Sequence, residues 1–149
     1  MRQLLYALQF KGQAQPASEG STTLKATTSA PSAAISTTIG PEGVAGSLQP
    51  AAGGTAQFES EVTLTGETSF QEQGTITFGD GGHRLRFSTV GEGYIAPSQD
   101  PALMQGAVIW RIESGEGQFA SAGGLITSNF TVSESGEVVD NQFGVLLVP

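Results

Sequence analysis

The chain has 149 residues, 38% of them hydrophobic and 13% charged, with a formal charge of -8 and no cysteine. That length suits one domain with a sizeable core, the acidic balance repels a phosphate backbone, and the missing thiols exclude disulfides and cysteine chemistry. The 21 Gly and 7 Pro, with few charges to clothe helices, favour short strands and turns over a helical bundle.

Residues 4–11 alternate, with Tyr6, Leu8 and Phe10 on one face, and predict a strand. Residues 12–24 are rich in Pro, Ser, Gly and Thr and predict a loop. Residues 22–29, 33–39 and 44–48 read as three short strands, separated by Pro31 and by Gly40-Pro41. From 56 to 64 the pattern sharpens: Phe58, Ser60, Val62 and Leu64 share a face, and Glu59, Glu61 and Thr63 take the other. Residues 70–78 put Phe70, Glu72, Gly74, Ile76 and Phe78 together. Gly79-Asp80-Gly81-Gly82 then turns the chain into residues 83–90, where His83, Leu85, Phe87 and Thr89 are in phase.

Gly91, Gly93, Pro97 and Pro101 mark an irregular connection in which a helical turn is expected near residues 100–104. Residues 106–113 and 125–132 are two central strands. After the turn at 133–136 a last strand runs over residues 137–148, ending in Val145-Leu146-Leu147-Val148, apolar on both faces. About eight strands in mostly meander order predict an all-β fold, a sandwich or a closed antiparallel barrel. Pairing the apolar first and last strands would remove two aggregation-prone edges, which favours a single barrel domain over residues 1–149.

Gly115-Glu116-Gly117-Gln118-Phe119-Ala120 fits a dinucleotide fingerprint by letter, but that motif works only where a helix begins, and Ser121-Ala122-Gly123-Gly124 followed by β-branched residues predicts a strand connection. The sequon at Asn129 falls inside a predicted strand. With His83 the only histidine, no common zinc site can be assembled, and neither a metal nor another cofactor is expected. Arg84, Arg86 and Arg111 are expected to pair with Glu59, Glu61 or Glu113 on neighbouring strands, the alternative being an anchor for an acidic ligand.

Polar residues on apolar faces carry the functional expectation. Glu72 and His83 stand in phase with large apolar residues. A carboxyl in an apolar interior holds its proton more tightly and suits acid–base work, whereas at a strand end it simply reaches solvent. Glu72 and His83 are therefore the candidate catalytic residues. Tyr6, Phe70, Phe78, Phe87, Tyr94 and Trp110 are the candidate ligand-binding residues, through rings that offer apolar surface and, in Tyr and Trp, a polar handle.

Trp110-x-Ile112, the run Gly115-x-Gly117-x-Phe119-Ala120-x-Ala122-x-Gly124, and Ser128-x-Phe130 resemble the corner between two strands in the allene oxide cyclase and dirigent-like β-barrel superfamily, a calycin-like group with bacterial members of unknown function. The resemblance covers the last third of the chain. It implies a barrel, a hydrophobic small molecule as partner, and a homo-oligomer, dimer or trimer, formed through residues 145–148 or the outer face of the central strands. The catalytic acids of the plant members match no motif here, so none is carried over.

Two functions follow as expectations. One is an isomerase or cyclase that folds a hydrophobic substrate inside the barrel; the other is a non-catalytic carrier or oligomerising protein whose barrel is packed. The interior decides between them: a barrel filled by Phe58, Phe70, Phe78, Phe87 and Leu85, with no cavity of about 300 Å³, would sink the ligand reading. No apolar run approaches the roughly 18 residues of a membrane helix, and the first residues turn polar too early for a secretory signal, so the expected location is cytoplasmic, away from membrane and nucleic acid.

Overall fold

Met1 to Pro149 are all described by a computed structural model. Nine strands make up the chain: β1 (Arg2–Pro16), β2 (Thr23–Gly40), β3 (Gly43–Leu64), β4 (Ser69–Phe78), β5 (His83–Thr89), β6 (Gly93–Pro97), β7 (Leu103–Glu116), β8 (Gly123–Ser133) and β9 (Glu137–Val148). The only helical element is one 3-10 turn, Gly117–Phe119, and no helix is long and apolar enough to cross a membrane.

Every strand is antiparallel to its neighbours. The pairing runs β1–β2–β3–β4–β5–β7–β8–β9 and returns from β9 to β1, so the hydrogen-bonded ladder forms a ring, with β6 bridging β4 and β7 at one rim. The expected joining of first and last strands is the most extensive seam after the β2–β3 hairpin, running from Arg2 opposite Val148 to Gln13 opposite Glu137.

Alternation explains which side chains the ring encloses. In β3, Ala56, Phe58 and Ser60 are buried while Gln57, Glu59 and Glu61 are exposed; in β9, Val138, Asp140, Gln142, Gly144, Leu146 and Val148 are buried. At mid-height the interior is filled by aromatic rings. Phe87 lies 4.4 Å from Trp110 and 5.4 Å from Phe58, centroid to centroid, and Phe10 packs on Phe58 at 5.9 Å. Pairs of this kind contribute about 0.5–1.5 kcal/mol each beyond simple burial.

Three expectations are corrected. The segments 22–29 and 33–39 are one continuous strand, β2, and 44–48 merges with 56–64 into β3. Pro31 does not end the strand: it still stands opposite Thr55 of β3, and a register shift between Pro31 and Ala33 follows it, while the pairing with β1 stops at Ser29. β1 continues to Pro16, beyond the loop expected from Gly12. Residues 100–104 form a turn entering β7 in place of a helical turn, and β6 precedes it. The glycine-rich corner is as expected a connection between strands, with φ of 65° at Gly117 and 124° at Gly124, conformations glycine adopts at little cost.

Candidate functional site

Seven polar residues are buried: Thr28, Ser60, Glu72, Thr89, Ser128, Asp140 and Gln142. All belong to strands of the ring and alternate with its buried apolar residues. Four of them, Thr28, Glu72, Ser128 and Asp140, line a cavity of about 200 Å³ between the aromatic layer and the rim formed by β6 and the β3–β4 and β8–β9 turns. Its walls are mostly apolar, including Leu24, Val62, Phe70, Ile95, Phe130 and Val132, with Phe58 and Trp110 closing one side; Glu72 and Asp140 both line it.

Glu72 is fixed from several strands. Ser60 Oγ on β3 donates to its Oε2 at 2.6 Å and the indole Nε1 of Trp110 on β7 donates to Oε1 at 3.2 Å. Its backbone N–H is held by Thr89 Oγ1 at 2.7 Å. Gly74, opposite Ser60 in the ladder, leaves the room this needs: a Cβ there would come within 2.1 Å of the Glu59 carbonyl and 2.9 Å of the Ser60 side chain. Burial pushes the Glu72 carboxyl up to about 8; the Ser60 hydrogen bond opposes this, Asp140 adds to it, and the Trp110 N–H opposes it.

Asp140 has its own donors. Ser128 Oγ donates to Oδ1 at 2.5 Å and Gln142 Nε2 to Oδ2 at 2.9 Å, while Gln142 Oε1 accepts from the Tyr6 hydroxyl at 2.9 Å. Burial raises the Asp140 carboxyl to about 6, held there against the two hydrogen bonds, which favour the anion. Burial and then the nearby Asp140 raise the Tyr6 phenol above its ordinary value, so it stays a neutral donor. On the cavity wall, the buried Thr28 Oγ1 has no hydrogen-bond partner within the chain.

The structure divides the candidates. Glu72, Phe70 and Trp110 meet at the cavity, and Phe87 stands behind them in the aromatic layer. Tyr6 and Phe78 pack edge to face at 5.7 Å at the opposite end of the interior, where they border an open groove. His83 is exposed at the β4–β5 hairpin, its Nδ1 accepting from the Gln118 N–H at 3.0 Å, and Tyr94 is 53% exposed on β6. Neither lines the cavity. Of the arginines, only Arg111 makes an ion pair, to Glu113 at 3.6 Å, and both partners are about half exposed.

Asp140 is the acid that sequence reasoning missed. Its signal was the one that singled out Glu72: it alternates in phase with Val138, Gln142, Leu146 and Val148. No three His, Asp or Glu side chains cluster closely enough to share a metal ion. No family model, curated protein or solved structure matches the chain.

Proposed function

We propose that the ring of strands is a closed β-barrel whose interior binds a small hydrophobic molecule, and that Glu72 and Asp140 move a proton on it, making the protein an isomerase. The observation that carries this reading is the pairing of two carboxyl groups of unequal acidity on one apolar cavity. At neutral pH the Glu72 carboxyl, near 8, keeps its proton and donates a hydrogen bond; Asp140, near 6, is an anion and accepts. Two titratable groups pushed apart by their surroundings are the usual basis for dividing acid and base roles.

In the reaction this suits, Asp140 takes a proton from carbon beside a carbonyl while Glu72 hydrogen-bonds the carbonyl oxygen; Asp140 then returns the proton to another carbon of the enol system. The double bond moves, no electrons are gained or lost, and both acids return to their starting states. Thr28 Oγ1, unsatisfied within the chain, supports a polar group on the ligand at its wall. The barrel and the partner are those the allene oxide cyclase and dirigent-like resemblance implies; a cytoplasmic location belongs to the same reading.

Size limits the ligand. About 200 Å³ falls short of the roughly 300 Å³ set by the sequence expectation, which counts against a drug-sized ligand; the reading is kept only for a single-ring or short-chain molecule, somewhat larger than the benzene that a cavity of about 150 Å³ admits. The aromatic layer of Phe10, Phe58, Phe87 and Trp110 stops it from reaching further.

The test combines ligand capture with one variant. Native mass spectrometry of protein purified from its own host should find a retained small molecule, and cyclohexenone offered in solution should exchange its α-protons for deuterium when catalysed by the protein. Glu72→Gln should keep ligand affinity within a few-fold and lose about 10²-fold or more in exchange rate, the scale of a lost general acid. Binding with no exchange in either protein would leave the carrier reading in place of the isomerase; no binding at all would end both.

A further inference from the structure

Beyond the ring, β2 and β3 continue as a two-stranded arm, residues 33–40 paired with 43–50, in which Ile35 faces Leu48 and Ile39 faces Val44. Its apolar side chains are uncovered: Ile39 is 87% and Val44 73% exposed. The opposite face carries Ser36 and Ser47, hydroxyl to hydroxyl at 2.7 Å. A lone two-stranded ribbon with one bare apolar face is marginally stable in water. It needs a surface.

The same chain presents an unfilled position of matching size. β1 pairs with β2 only from Lys11 to Pro16, so residues 2–10 are bonded to β9 on one edge and to no strand on the other. Beside that free edge is an open groove of about 420 Å³ lined by Leu4, Tyr6, Leu8, Phe78, Phe119 and Leu146 among others. The pairing of β2 with β1 stops at Ser29, and beyond the register shift after Pro31 only the base of the chain's own arm, Ser32 and Ala33, borders the groove.

We propose that two copies of the chain exchange arms: residues 33–40 of each add, antiparallel, to the free edge at residues 2–10 of the other. The two lengths match, and alternation gives the added strand one apolar face, with Ile35 and Ile39, to turn toward the second copy. Charge agrees. Glu42 at the arm tip is the one charged residue between Lys25 and Glu59, and Arg2 the one charged side chain ahead of Lys11; antiparallel addition brings the tip to the start of β1, acid beside base. Two reciprocal contacts, each about 25 Å long and about 10 Å wide, hide on the order of 1,000 Å² in total, the lower limit for a biological interface and the size of a weak dimer. Reciprocity closes the assembly as a two-fold dimer. None of this depends on the cavity or on any ligand.

Sedimentation of the full chain tests it. Wild type should sediment at twice its 15.3 kDa chain mass. The double variant Ile39→Lys/Val44→Lys should raise the dimer dissociation constant on the order of 100-fold, as loss of interface anchors does. Both side chains lie away from the ring, so a monomer with unchanged ring packing by methyl NMR is the expected product. Glu42→Arg should weaken the dimer several-fold and adding Arg2→Glu should restore it. A wild type that stays at single-chain mass to about 100 µM overturns the proposal. So does a dimer indifferent to the arm variants, which would place the interface on the exposed outer face at Leu5, Leu125, Phe143 and Leu147. Failure of the charge swap to restore binding overturns the tip-to-β1 arrangement.

Discussion

At one end of the interior Glu72 and Asp140 sit behind apolar walls around about 200 Å³; at the other, Tyr6 and Phe78 border a groove of about 420 Å³ that opens to solvent. The same strands build both ends, and the aromatic layer divides them. The first end gathers acids that enclosure makes hold their protons more tightly. The second keeps a phenol that is always a donor, beside a free strand edge. What differs is whether the ladder is complete: residues 11–16 of β1 pair with β2, and residues 2–10 have no strand on that edge. Burial alters acidity at both ends, raising the Glu72 and Asp140 carboxyls at one and the Tyr6 phenol at the other. Yet the ends are linked, since Gln142 accepts from Tyr6 and donates to Asp140.

The largest test of the division is the layer itself. Trp110→Ala should cost roughly 3–5 kcal/mol in urea unfolding, as for a fully buried large side chain, and Phe78→Ala, half-buried at the open end, about 1–3 kcal/mol. Equal losses would mean the open groove is as well packed as the cavity wall.

Next in size is the pH dependence of the enclosed end. Folded Glu72 holds its proton up to about 8, whereas unfolded it releases it near 4.5, so unfolding releases a proton between these values. Its contribution is fully present below pH 4.5 and lost as pH rises through 8, a fall on the order of a few kcal/mol. Asp140 adds a smaller fall between 3.8 and about 6. Unfolding curves of Glu72→Gln should be flat above pH 6, where wild type still declines toward 8; a parallel decline in the variant would remove Glu72 as the cause.

The smallest effect belongs to the link. Tyr6→Phe should cost about 1 kcal/mol, one net hydrogen bond, with no new slope between pH 5 and 8 because the phenol does not titrate there. A larger loss that follows the Asp140 range would show that Gln142 couples the two ends more tightly than a single bond.

Much of the ring was legible because alternation survives wherever one face is enclosed. β4, β5, β8 and β9 begin and end within a residue or two of expectation, and the β1–β9 seam follows from their apolar character. The arm was not legible as one hairpin: Pro31, Gly40-Pro41 and Pro50 punctuate it, and with no core behind it there is no alternation of burial to override them. The site was half legible. Glu72 stood out as a lone acid among Phe70, Ile76 and Phe78, whereas Asp140 sits in a strand whose apolar end occupies both faces and blurs the phase. His83 satisfied the same phase rule but stands at a hairpin, where a strand face no longer implies an interior, and Tyr94 lies on the short bridging strand β6.

Trp110 is the only tryptophan in the chain, and its N–H rests on Glu72 while its ring lies against Phe87. An indole changes its emission when the carboxyl at its N–H ionises or when water or a ligand replaces an apolar neighbour. The protein therefore carries its single tryptophan at the cavity wall, and the emission excited in that indole reads both the proton on Glu72 and the filling of the cavity without any label.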